Sequence, residues 1–185
     1  FNPLIRQKGV SLKYISDNSE ITGADLIIIP GTKNTISDLR WLKKRGFIRE
    51  ALTGKNVCGI CGGFQMLGYD LYDPFASEES SRESGLSLLH FETVFSNKKT
   101  TRQVKANILN LPDFIKPLKN TEISGYEIHM GESKNSGELS FSIVSGSEDG
   151  FVNRNIFGTY IHGIFDNNHF SEALLQGLAK QNNKN

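Results

Sequence analysis

The segment Asn56-Val57-Cys58-Gly59-Ile60-Cys61-Gly62-Gly63 restricts the fold more than any other part of this sequence. An apolar run that passes straight into Gly62-Gly63-Phe64-Gln65-Met66-Leu67 reads as a buried strand turning sharply into a helix. Strands that are apolar on both faces belong to sheets covered by helices, so the segment points to an α/β layer fold. Gly59 and Gly63 stand two residues before and two after Cys61. That spacing is the cysteine form of the Gly-x-Ser-x-Gly elbow, in which small neighbours let a nucleophile sit on a strained, outward-pointing turn. A helix N-terminus favours a thiolate there, and the Gly62 N–H is placed to donate to an oxyanion. The competing reading of the same residues is a buried, inert cysteine.

The surrounding pattern agrees with such a sheet. Residues 25–29 form a second doubly buried strand, closed by Pro30-Gly31. Ile36, Leu39 and Leu42 recur at helical spacing, with Asn34 or Thr35 as cap and Gly46 as stop, and a short helix over 47–52 follows. Residues 10–16 read as the first strand. Residues 156–161 read as another buried strand, ended by His162-Gly163, and residues 171–181 as a closing helix with Ala173, Leu174 and Leu178 inward.

Residues 77–84, Ser77-Glu78-Glu79-Ser80-Ser81-Arg82-Glu83-Ser84, are too polar to bury much and read as an exposed loop. Beyond them the pattern becomes antiparallel. Residues 88–95 and 102–109 are expected to pair around a turn at Asn97-Lys98-Lys99, with further strands at 123–130, 141–144 and 151–153. The expected fold class is therefore α/β: a mostly parallel sheet with flanking helices and an additional antiparallel β region. One domain over residues 1–180 is expected, with a disordered tail at 181–185, and no internal repeat or linker divides it.

Composition narrows the function. Among 185 residues, 21 Lys+Arg balance 20 Asp+Glu for a formal charge of +1, which gives no electrostatic footprint for nucleic acid or an anionic membrane. Lys43-Lys44-Arg45 and Asn97-Lys98-Lys99 read as solvated faces. The run Leu26-Ile27-Ile28-Ile29 falls far short of the ~18–20 apolar residues that a membrane-spanning helix needs. With no signal segment and no Asn-x-Ser/Thr acceptor, a cytoplasmic location is expected. The chain opens on Phe1 rather than Met, as a piece of a longer protein would.

Cys58 and Cys61 also spell Cys-x-x-Cys, which admits a redox site, although Cys58 lies inside the apolar strand and Cys61 alone reaches the turn. No metal is expected, because His90, His129, His162 and His169 are scattered and no second cysteine pair completes a tetrahedral site. A thiol nucleophile needs a base. His162, at the carboxyl end of a buried strand, would emerge on the same sheet edge as Cys61. Glu127 and His129, two apart on one strand, face the same side and could line a binding surface or serve structure alone.

Four segments together resemble a known family. Pro30-Gly31-Thr32-Lys33-Asn34-Thr35, the stretch from Gly59 through Cys61 and Gln65 to Gly68, Gly125-Tyr126-Glu127-Ile128-His129-Met130-Gly131, and the stretch from Gly158 through His162 to Asp166 occur in the order and spacing of the glutamine amidotransferase domains of the cobyric acid synthase type. The resemblance spans almost the whole chain and implies a class I glutamine amidotransferase-like (flavodoxin-like) fold. It implies that Cys61 attacks the side-chain carboxamide of glutamine, that His162 moves the proton, and that a glutamyl thioester is then hydrolysed. It also implies an oxyanion site at Gly62 and the Gly31-Thr32 turn, with Gln65 contacting the substrate. His162 is followed by Gly163-Ile164, so the His-x-Glu of the wider class is absent. Asp166, Glu127 or a backbone carbonyl could orient the imidazole.

No phosphate loop is present, since Gly54-Lys55-Asn56 lacks both the earlier glycine and the hydroxyl residue. The resemblance accordingly places ATP and Mg²⁺ in an N-terminal synthetase domain that is absent here, together with one strand upstream of Phe1, and no cofactor is expected in this domain. That synthetase domain is the expected partner, with the corrinoid acceptor, cobyrinic acid a,c-diamide, bound mainly outside this chain. Two alternatives stay open: the amidotransferase domain of a related synthetase, such as the cobyrinic acid a,c-diamide enzyme or a cell-wall amidating complex, and a catalytically silent docking domain.

Overall fold

The computed structural model describes residues 1–78, 82–116, 118 and 121–183. After a one-turn helix α1 (Asn2–Ile5) the isoleucine run forms β1 (Ile27–Ile29). The amphipathic segment forms α2 (Thr35–Lys44), where the Asn34 side chain accepts the Ser37 N–H at 3.2 Å and Ile36 and Leu39 are fully buried. A single turn α3 (Arg49–Leu52) leads to β2 (Val57–Ile60), buried at every position, and the elbow opens α4 (Gly62–Leu67). The remaining strands are β3 (Asp70–Tyr72), β4 (Arg82–Ser84), β5 (Phe91–Ile108), β6 (Glu122–Asn135), β7 (Leu139–Val144), β8 (Ser147–Asn153), β9 (Ile156–Thr159) and β10 (Ile161–His162). The chain closes with α5 (Asn168–Gln181).

These strands make one mixed, open sheet in the order β1-β2-β9-β8-β7-β5-β3-β4, with β6 beside β5 and β10 beside β6. The functional end is parallel: β2 lies between β1 and β9, with Cys58 level with Ile28 and Phe157. The β8, β7, β5 and β6 ladders are antiparallel. Two apolar cores result. One gathers Phe141, Phe157 and Phe170 under α5, and the other gathers Phe64, Phe91 and Phe151 with Ile36 and Leu39 of α2. Among the described residues no helix is long and apolar enough to cross a membrane.

Several expectations are corrected. Residues 10–16 form no strand: Val10 and Ile15 pack against the two cores, but the backbone finds no ladder partner. Residues 88–95 and 102–109 do not pair with each other, because Asn97-Lys98-Lys99 lies inside the single long strand β5. Both halves of β5 pair with β6, and the polar triplet falls where that register shifts between Val94 and Lys99, a bulge rather than a turn. The polar 77–84 stretch is not all loop. Arg82–Ser84 forms β4 against β3, and Glu83 binds Arg40 at 2.7 Å and Lys43 at 3.0 Å, which draws part of the basic run on α2 into an ion-pair cluster. Residues 79–81 of that stretch lie outside the described residues.

The strand expected over 156–161 breaks at Tyr160 into β9 and β10. Residues 181 and 182, expected in the disordered tail, are tied to the fold: α5 includes Gln181, whose side-chain oxygen accepts from Asn56 at 2.7 Å, and Asn182 donates to Asp25 at 3.0 Å. Residues 184 and 185 of the expected tail lie outside the described residues.

The elbow depends on a close approach between α4 and β1. A Cβ on Gly63 would stand 2.0 Å from the Ile29 carbonyl oxygen and 2.7 Å from that of Pro30. Neither backbone atom can swing aside as a side chain could. Gly63→Ala should therefore destabilise the chain by about 3 kcal/mol, the upper end of overpacking costs, measured as a lowered urea midpoint with an unchanged m-value.

Candidate active site

Cys61 sits between β2 and α4 with φ 52° and ψ −113°, a conformation that side chains rarely adopt and that active-site turns store as strain. Its N–H donates to the Thr159 carbonyl at 2.8 Å, one further rung of the β2/β9 ladder. Its Sγ donates to the Ile128 carbonyl on β6 at 3.2 Å. Burial pushes the thiol pKa up to about 11; the Gly62 N–H opposes that shift, and Glu78 adds to it. The elbow therefore presents a neutral thiol at rest, not the ready thiolate expected from the helix N-terminus alone.

His162 reaches the same spot from β10, paired across from Tyr126 on β6. Its ring stacks on Tyr126 with centroids 5.1 Å apart and planes 5° from parallel. Burial lowers its pKa, and the Ile128 carbonyl opposes the shift by favouring the protonated ring. His162 Nε2 is buried and has no hydrogen-bond partner among the described residues. Tyr126 fixes the plane of the ring by stacking, and of the three groups suggested as orienting it a backbone carbonyl, that of Ile128, bears on its protonation. Asp166 is exposed in the turn after Gly163, and Glu127 is engaged elsewhere.

Gly31 lies against both. A Cβ there would stand 2.9 Å from His162 Cε1 and 3.5 Å from Cys61 Cβ, so only glycine leaves the imidazole its place. The turn it begins is braced by Thr32, whose hydroxyl donates to Asp38 and accepts from the Asn34 N–H at 3.2 Å. Cys61, Gly62, His162 and Gly31 are therefore together. Gln65 lies one turn along α4 but is 2% exposed, and its amide is taken up inside the protein. It donates to the Met130 carbonyl at 3.0 Å and the Tyr160 hydroxyl at 3.2 Å, and accepts from Thr35 at 3.3 Å.

Glu127 and His129 do share a side, but it is the inner one. Glu127 is 3% exposed and holds Arg102 at 2.6 Å, while His129 stacks on Tyr160 with centroids 3.9 Å apart. Two contributors had no legible signal: the Ile128 carbonyl, which any residue could supply, and the Thr159 carbonyl. Tyr126 did stand in a segment singled out by its glycines. Beside His162 opens a cleft of about 310 Å³, lined among others by Gly31, Ile60, Tyr126, Phe165 and Asp166. That volume is at the lower end of small-molecule sites, roughly 300–1,000 Å³. Cys58 is wholly buried, both cysteines are free, and among the described residues no three His, Cys, Asp or Glu gather as a metal site would require.

A strained cysteine between a parallel strand and a helix, faced by a strand-end histidine, on a mixed sheet of this order, defines the fold of the class I glutamine amidotransferases. A crystal structure of a glutamine amidotransferase superposes with a TM-score of 0.69 over 97% of this chain and 91% of that one, at 12% identity. PurLQS from Thermotoga maritima gives 0.61 over 91% and 85%, at 17% identity. The family is narrower: residues 1–170 match the CobB/CobQ-like glutamine amidotransferase domain, and the chain belongs to that family. Cobyric acid synthase of Caldanaerobacter subterraneus subsp. tengcongensis is 44% identical over 201 residues, covering 98% of this chain and 39% of that protein. The Clostridium perfringens enzyme of the same name is 43% identical over 192 residues, covering 99% and 38%. The chain thus spans about two fifths of the length of these relatives.

The neutral resting thiol has a direct test. With the Cys61 pKa at about 11, its alkylation by iodoacetamide in the absence of ligand should rise about tenfold per pH unit from pH 7 to 10, since only the thiolate reacts. A plateau already reached at neutral pH, in rates followed by intact mass, would contradict the burial argument.

Proposed function

We propose that this chain is the glutaminase unit of a cobyric acid synthase, releasing ammonia from glutamine through a thioester on Cys61. The observation that carries this reading is the convergence of Cys61, His162 and Gly31, the last two lining a small cleft, with Nε2 of His162 buried and uncommitted among the described residues. A nitrogen with no other partner is free to take the thiol proton. Sγ forms a bond to the carboxamide carbon as that proton passes to His162, and the negative charge goes to the amide oxygen. The Gly62 N–H and the Gly31-Thr32 backbone would hold that oxygen, each such donor being worth about 10²–10³ in rate.

Collapse of the adduct breaks the C–N bond, and the imidazolium gives its proton to the departing ammonia. Water, deprotonated by the same imidazole, then cleaves the thioester to glutamate and the free thiol. Gln65 supports this pocket from the α4 side, its amide holding Met130 and Tyr160 in place. The Ile128 carbonyl competes for the thiol proton at rest, so glutamine must displace that bond as it enters.

Ammonia would pass to an ATP- and Mg²⁺-dependent synthetase portion, which amidates carboxylates of cobyrinic acid a,c-diamide on the route to cobalamin. The share of the relatives that lies outside this match leaves room for such a portion. The reading places the enzyme in the cytoplasm, where two free cysteines stay reduced.

Exposure to 6-diazo-5-oxo-L-norleucine, an electrophilic glutamine mimic, should add one adduct on Cys61, prevented by excess glutamine. Cys61→Ser should abolish the adduct and His162→Ala should slow it by about 10²–10⁴, both read by intact-mass spectrometry. A folded chain that forms no adduct on Cys61 would remove the catalytic reading.

A further inference from the structure

Asp149, in the middle of β8, is a carboxylate with 5% exposure that takes no part in the chemistry above. It accepts from the Ser142 hydroxyl at 3.2 Å, from the Thr159 hydroxyl, and from the Tyr160 N–H at 3.0 Å. Burial raises its pKa to about 6, its hydrogen bonds work against that shift, and Glu127 adds to it. A buried carboxylate is costly unless its donors need it, and here each donor does.

The reason lies in the chain path. The β8/β9 ladder runs from Asn153 opposite Ile156 to Phe151 opposite Gly158, and there it ends. The next segment leaves β8 and, two residues after Thr159, is paired to β6 instead. At this change of partner Tyr160 N–H loses a strand acceptor, and the Asp149 side chain supplies one. Thr159 is tied in two directions. Its carbonyl holds the Cys61 N–H at 2.8 Å, and its hydroxyl oxygen accepts the Ile161 N–H at 3.0 Å. With that oxygen accepting from Ile161, the hydroxyl proton must go outward, and it goes to Asp149.

We propose that Asp149 is the positioning residue of the pair: its carboxylate fixes the Thr159–Ile161 bend, and the bend sets His162 against Cys61. This rests on the reading of Cys61 and His162 as the reacting groups. Asparagine has the same shape but not the same hydrogen-bonding sense: with its oxygen on the Tyr160 N–H, its NH₂ would face the Ser142 and Thr159 hydroxyls, which would have to accept instead of donate and would lose the acceptor of their own protons. The bend would relax, and His162 lies one residue beyond it.

The test uses the 185-residue chain with Asp149→Asn, Thr159→Val and Thr159→Ser. Histidine ¹H–¹³C spectra, with His162 assigned from His162→Ala, report ring placement without any turnover. Labelling by 6-diazo-5-oxo-L-norleucine reports the reaction. Asp149→Asn and Thr159→Val should shift the His162 signals while leaving His90 and His169 in place, and should slow labelling about 10–10²-fold, as small misplacements of a reacting group do. Thr159→Ser keeps the hydroxyl and should match the unchanged chain in both. In a His162→Ala background, Asp149→Asn should slow labelling no further.

Unmoved His162 signals would overturn the proposal, as would an equal slowing with and without His162. If Asp149→Asn does not fold, the Thr159→Val and Thr159→Ser pair decides by the same signals. Absence of labelling in the unchanged chain counts against the glutaminase reading and leaves the spectra to judge the placement of His162.

Discussion

The hydrogen bond from the Cys61 N–H to the Thr159 carbonyl is the last rung of the β2/β9 ladder, and the site depends on it. It holds the elbow down on one side while β1 holds it on the other. Without both, nothing would keep a non-glycine residue at φ 52°, a strain of about 1–3 kcal/mol. The same peptide unit begins the bend that carries His162 to β6. Nucleophile and base are therefore placed by one stretch of backbone, with a phenylalanine-rich core under each face of the sheet to keep it rigid.

The resting site is uncharged. Burial raises the thiol and lowers the imidazole, so neither ion is favoured before a ligand arrives. The Ile128 carbonyl orients the thiol, and the Tyr126 ring orients the imidazole. This suits a reaction in which charge should appear only on the substrate oxygen, beside backbone donors that need no rearrangement.

What could be read from the residues follows the range of the forces involved. The buried strands around Ile28 and Cys58, the capped helix from Thr35 and the elbow were legible because local pattern and final environment agree. So was the strand that ends at His162, although its break at Tyr160 was not. That break is written by Asp149 and Thr159, which lie ten residues apart and meet only in the folded sheet. The long strand β5 was hidden for the same kind of reason. Asn97-Lys98-Lys99 looks like a turn until β6 supplies partners on both sides of it. Residues 10–16 show the opposite error, an alternation with no neighbour to pair it. Gln65 was singled out through the family resemblance, but its burial and its three protein partners depend on Thr35, Met130 and Tyr160, all distant in the chain.

The wholly buried Cys58 bears on oxidative damage. It lies three residues back along an extended strand from Cys61, which puts the two Cα atoms about 10 Å apart. A disulfide needs them within about 7 Å. Should Cys61 be oxidised to a sulfenic acid, the other thiol of this chain cannot reach it to form the disulfide that would stop further oxidation. Recovery would then fall to a small external thiol, and without one the lesion would proceed to the irreversible acids.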